Sequence, residues 1–149
     1  VYEQEETIAK LLYIFERFWQ EILRFSRRTE SQINHWAARY GYKDRGEEIL
    51  KEAKHGANGR YACINLTNTD TIEFRVFRGT LKYNTVIATL RFVANLCRVA
   101  ISLPEYRIQE FSWPALIEAL TQDNCPELVQ YLKERNLYVN EPVTAEREV

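Results

Sequence analysis

The chain has no methionine, only two histidines and three cysteines, and no apolar run approaching the ~20 residues of a membrane-spanning helix. Each shortage closes off a class of protein. His35 and His55 lie far apart and neither has a metal-ligand companion at helical spacing, so both read as ordinary histidines rather than metal ligands. Cys63, Cys97 and Cys125 are odd in number, widely separated and form no C-x-x-C. That pattern argues against a disulfide framework or a zinc site and fits a reducing cytoplasm. No signal peptide is visible. A net charge of −1 leaves no global field to draw the chain to nucleic acid or to a membrane. Because it opens on Val1 and lacks methionine altogether, the sequence reads as a segment of a longer polypeptide.

What is present supports a folded domain. Hydrophobic residues make up 46% of the 149 residues, enough for one domain with a real core. Arginine outnumbers lysine, which favours planar recognition of anions over diffuse solvation.

Residues from about Glu5 to Phe25 predict one long amphipathic helix, with Ile8, Leu11, Leu12, Phe15, Trp19, Ile22 and Leu23 at i, i+3, i+4 spacing. Arg24, Arg27 and Arg28 fall where its C-terminus welcomes positive charge; alternatively, Arg27 and Arg28 stand at the mouth of a site. A second helix is expected from Ser31 to Tyr40, capped by Ser31 or Thr29 and ended by Gly41. Glu47 to His55 could hold two helical turns, and Gly56 to Gly59 reads as a loop. Asn84 to Ser102 predicts a strong helix, capped by Asn84, burying Ile87, Leu90, Val93, Ala94, Cys97, Ala100 and Ile101 against the strands. Pro104 closes it. Ser112-Trp113-Pro114 opens a helix to Leu120, and the capping-box spacing of Asn124 and Glu127 opens a last one to about Arg135. The segment 141–149 reads as a mobile tail after a single α+β domain over 1–140.

The most informative stretch lies between these helices. Thr71 to Phe77 alternates like a half-buried strand, with Thr71, Glu73, Arg75 and Phe77 on one side and Ile72, Phe74 and Val76 on the other. Arg60 to Leu66 alternates too, and Asn68-Thr69-Asp70 supplies turn chemistry between the runs. Opposing Leu66 to Ile72, Ile64 to Phe74 and Ala62 to Val76 collects every apolar side chain on one face, so burial selects an antiparallel hairpin in that register. The other face then carries Asn65, Glu73 and Arg75, with Arg60 and Arg78 near one end. A carboxylate suits a hard cation and a guanidinium suits phosphate or carboxylate; a cross-face surface ion pair is the plainer alternative.

The run Arg60-Tyr61 to Asn65, then Thr71-Ile72-Glu73-Phe74-Arg75-Val76-Phe77-Arg78-Gly79-Thr80-Leu81, resembles the closing motif of the amidoligases, ATP-dependent carboxylate–amine ligases related to glutamine synthetase and glutamate–cysteine ligase. Phe25-Ser26-Arg27-Arg28 is also similar to that family, and the likeness covers roughly residues 5–105. It implies a hairpin or sheet covered on one face by several helices, the C-terminal part of a glutamine-synthetase-like fold. It also implies ATP and Mg2+ as cofactors, Glu73 as a metal ligand, and Arg75 on the nucleotide phosphate or acyl phosphate. Arg60, Asn65, Arg78, Arg27 and Arg28 would bind ATP or substrate. The family's early strand with paired metal-binding glutamates has no counterpart here, so the N-terminal half of the ligase domain would be missing and this portion inactive alone.

The leading expectation is thus the C-terminal portion of a ligase joining a small-molecule or peptide carboxylate to an amine through an acyl phosphate. The alternative is a non-catalytic module that binds phosphate or an acidic peptide without metal. Base stacking on Tyr61 and Phe77 ranks last, since near-zero net charge and Glu73 oppose nucleic acid.

Overall fold

The apolar spacing at the start of the chain produces two consecutive helices, α1 (Tyr2–Arg17) and α2 (Trp19–Ser26), rather than one. In the computed structural model, which describes residues 2–54, 62–66 and 71–139, the chain kinks at Phe18 (φ −105°, ψ 34°). The bonds from Phe18 N–H to Ile14 O (3.0 Å) and from Ile22 N–H to Phe18 O (2.9 Å) persist across the kink. Phe18 there packs on Trp113, with ring centroids 5.7 Å apart.

Thr29 caps α3 (Glu30–Trp36): Gln32 N–H donates to its Oγ1 and Thr29 N–H donates to Gln32 Oε1, a complete capping box. The helix stops at Trp36, short of the expected Tyr40, because Ala38 to Tyr40 leave it to border a strand. Gly41, at φ +95°, lies beyond that departure and is not the helix cap. Helix α4 (Gly46–Lys54) then packs closely on α1, where a Cβ on Gly46 would sit 2.3 Å from Ala9 O.

Strands β1 (Ile64–Asn65) and β2 (Glu73–Phe74) form an antiparallel pair with Ile64 opposite Phe74 and Asn65 opposite Glu73. This is the register that burial of the apolar set demands. The pairing is shorter than expected: Ala62 bridges Ala38 in parallel instead of extending the ladder to Val76. Arg60, Tyr61, His55, the loop at Gly56 to Gly59, the Asn68-Thr69-Asp70 turn and the tail 141–149 lie outside the described residues.

Phe77 departs from the alternation. The chain bends after the strand, and its ring joins Phe25 (5.6 Å), Phe92 (6.1 Å) and Phe15 (6.5 Å) in the core. It therefore does not share the polar face with Glu73 and is no stacking platform. On the apolar side of the hairpin, Phe15 of α1 packs against Phe74 (5.8 Å).

The next long helix, α5 (Tyr83–Ser102), begins at N-cap Lys82, and Asn84 lies inside it, donating from Nδ2 to Glu127 O (3.3 Å). Its buried residues are Thr85, Ala88, Phe92, Asn95, Leu96, Val99 and Ala100. The expected stripe was rotated: Leu90 is 62% and Ile101 69% exposed. A helix apolar on most sides gives no unique phase, and the bulk of Phe92 against Phe25 decides it, the two rings stacking at 4.2 Å. By length and composition alone, these 20 residues could also cross a membrane, contrary to the sequence expectation. Here their buried side packs against the rest of the fold.

Helix α6 (Glu105–Gln109), not anticipated, follows Pro104, which is its N-cap. Helix α7 (Trp113–Leu120) starts at the expected Ser112 cap. Helix α8 (Pro126–Glu134) has Cys125 as N-cap with no side-chain bond, so the expected Asn124 box does not form. Among the described residues the architecture is mostly helical with one small antiparallel sheet, an α+β arrangement.

Candidate functional site

The polar face of the hairpin assembles three of the expected residues. Asn65 Nδ2 donates to Glu73 Oε1 at 3.2 Å, and Arg75 NH1 donates to the same oxygen at 3.2 Å. The side chains of Glu73 and Arg75 are 46% and 28% exposed, while Asn65 is buried. Asn65 therefore acts from beneath, orienting the carboxylate, and Glu73 and Arg75 meet solvent.

Two further arginines arrive from the end of α2. Its C-terminus is fixed by Ser26, whose hydroxyl donates to Leu23 O (2.6 Å) and accepts from Arg28 N–H (3.1 Å), and whose carbonyl accepts from Arg78 N–H (3.0 Å). Tyr131 supports the same turn by donating to Phe25 O at 2.6 Å. Arg27 sits at the C-cap in the left-handed region (φ 63°), where a side chain other than glycine is strained. Its guanidinium donates to Arg78 O. Arg28 donates from Nε to Val76 O (3.0 Å) and from NH2 to Arg75 O (3.3 Å).

Arg27 and Arg28 are thus not simply complements to a helix dipole. Each spends part of its fork on the backbone that follows β2, which fastens the strand exit to α2. Burial, and then the nearby guanidiniums of Arg75 and Arg78, hold the Arg28 pKa below its usual value. Repulsion of this kind is what a bound anion would relieve. Arg75 pairs with Glu73, the Arg28 guanidinium lies near those of Arg75 and Arg78, and Arg27 reaches the Arg78 carbonyl. Arg60, expected at the same end, lies outside the described residues.

The face suits phosphate or carboxylate better than it suits a cation. A hard divalent ion prefers about six oxygen ligands. Among the described residues, no three His, Cys, Asp or Glu side chains converge. Glu73 would contribute one ligand, and the described residues do not make a magnesium site alone.

The sequence reading missed a second polar cluster, which borders β1 on its other side. Glu16, on α1, has a side chain only 1% exposed and pairs with Arg39 NH2 at 2.6 Å. It also accepts from Arg39 Nε (2.8 Å) and from Tyr40 N–H (2.8 Å). Arg39 lies over the Trp19 ring at 4.9 Å. The available signal was positional: Glu16 follows Leu12 by four and precedes Trp19 by three, which places a carboxylate on the apolar stripe of its helix. Burial, with Glu16 second, pushes the adjacent Cys63 thiol up to about 12. No family model, no curated protein and no solved structure matches the chain.

Proposed function

We propose that the Asn65–Glu73–Arg75 face, with Arg27, Arg28 and Arg78 beside it, is the phosphate-holding wall of a cytoplasmic, ATP-dependent carboxylate–amine ligase of glutamine-synthetase-like fold. Such an enzyme activates a small-molecule or peptide carboxylate as an acyl phosphate and lets an amine displace phosphate. The observation that carries this reading is the hairpin register, which sets Asn65 opposite Glu73 on a face that also bears Arg75. The resemblance of Thr71 to Leu81 to the amidoligase motif supplies the reaction class.

The chemical logic is electrostatic. Negative charge gathers on the transferring phosphoryl group, and fixed guanidiniums stabilise it without reorganising at the moment of reaction. Arg28 is fixed by its carbonyl partners, and Arg75 by Glu73. In this reading the acceptor site and the remaining oxygen ligands for Mg2+ come from chain outside the described residues. Glu73 would add one.

The surplus of guanidiniums over carboxylates favours a second reading: a module that binds phosphate or an acidic peptide without turnover. Calorimetric titration separates the two. The ligase wall should bind Mg-ATP weakly but better than ATP in chelator. The binding module should hold phosphate equally well in chelator. Absence of binding to ATP, pyrophosphate and phosphate alike would contradict both.

A further inference from the structure

A ladder of two residues on each side does not hold its own position in water. β1 is nevertheless fixed, because its far edge is occupied. Cys63 N–H donates to Ala38 O at 2.7 Å, while Cys63 O accepts from Arg75 N–H at 2.9 Å. The Tyr40 hydroxyl donates to Ile64 O at 2.8 Å. The segment from Ala38 to Tyr40 therefore serves as a third strand-like edge, although it belongs to no regular element.

What fixes that segment is Glu16. Its buried carboxylate takes Tyr40 N–H on Oε1 and the Arg39 guanidinium on Oε2. A buried carboxylate is expensive to desolvate and is tolerated here because these donors satisfy it. The connection then runs without a gap. Glu16 holds the Tyr40 backbone, the Tyr40 hydroxyl holds the Ile64 carbonyl, and the next residue, Asn65, holds the Glu73 carboxylate.

We propose that Glu16 and Tyr40 are positioning residues for the anion site, setting Asn65 against Glu73 from across the strand. Neither touches the proposed ligand. The inference rests on reading the Glu73–Arg75 face as that site. Burial, followed by Cys63 and Glu16, raises the Tyr40 phenol to about 12, so the hydroxyl remains a donor throughout the neutral range.

The test uses Tyr40→Phe, which keeps the ring and removes the donor, with the Asn65 side-chain amide of 15N-labelled protein as reporter, assigned by its loss in Asn65→Ala. Glu73→Gln replaces the charged acceptor of that amide by a neutral one and should shift its resonance in the wild-type background. In the Tyr40→Phe background the same substitution should move it less than half as far, while the Phe92 backbone amide in the core stays in place. Glu16→Gln, which loses the charge that anchors the segment, should reduce the shift in the same way and serves as the independent variant. An equal Glu73→Gln shift in all three backgrounds would overturn the proposal. Mg-ATP affinity, measured on the same proteins, should fall about fivefold in Tyr40→Phe. If the wild type binds no ATP, the ligase reading fails, and the amide shifts still decide whether Glu16 and Tyr40 position Asn65.

Discussion

Raising the pH should destabilise this protein, in part through one thiol whose contribution can be isolated. Cys63 is fully buried between β2 and the Ala38 edge, and its pKa rises from 9.0 to about 12, first through burial and second through Glu16. In the unfolded chain the thiol ionises near its ordinary value. Below pH 9 both states hold the proton and the folded state has its full advantage. Between 9 and 12 the unfolded chain releases a proton that the folded chain retains, so stability falls as pH rises. At about 1.4 kcal/mol per pH unit, the loss from this group is on the order of 1 kcal/mol at pH 10 and on the order of 3 kcal/mol at pH 11. Tyr40, raised from 10.0 to about 12, adds to the loss at the upper end. Urea unfolding of wild type and Cys63→Ala at pH 8 and pH 10 isolates the thiol, because the small cavity in the variant costs the same at both pH values. The gap between the two proteins should narrow by on the order of 1 kcal/mol at the higher pH. Parallel pH curves would refute the assignment of a buried, neutral Cys63.

Two further substitutions probe the frame around the site. Gly46→Ala puts a methyl within 2.3 Å of Ala9 O, and α4 must retreat from α1; thermal melting should show a loss of about 1–3 kcal/mol, and an unchanged melting temperature would mean the helices are not in that contact. Arg28→Lys replaces a fork that spans Val76 O and Arg75 O by a single ammonium, so urea unfolding should show a loss of about 1 kcal/mol, whereas an unaltered midpoint would reduce Arg28 to a bystander.

The pairing of Ile64 with Phe74 was legible in the sequence because one-residue slippage would have exposed half the apolar side chains. The Ser112 cap and the early Pro114 were legible for local reasons, since an N-cap hydroxyl and an early proline act within one turn. Local signals failed where tertiary packing chose between equivalent options. The face of α5 was unreadable because Leu90 and Phe92 are both apolar, and only the stack on Phe25 selects Phe92. Phe77 obeyed the alternation on paper, yet the strand ends at Phe74 and the bend delivers its ring to the core. The candidate site was half visible. Its Glu73 and Arg75 face followed from period two alone. The clamp of Glu16, Arg39 and Tyr40 joins three segments distant in sequence, and only the misplaced charge of Glu16 hinted at it.

The central claim, that Glu73 serves ligase chemistry and not a surface ion pair, is tested most directly by Glu73→Gln in the whole polypeptide, assayed as ADP or phosphate release with a mixture of carboxylate donors and amines beside a melting curve. The Glu73 side chain is 46% exposed and its pair with Arg75 spans 3.2 Å, so losing the charge should cost at most about 1 kcal/mol of stability. The account predicts turnover reduced by orders of magnitude with the melting temperature nearly unchanged. Full turnover in Glu73→Gln would contradict it and leave the arginine face as a binding surface only.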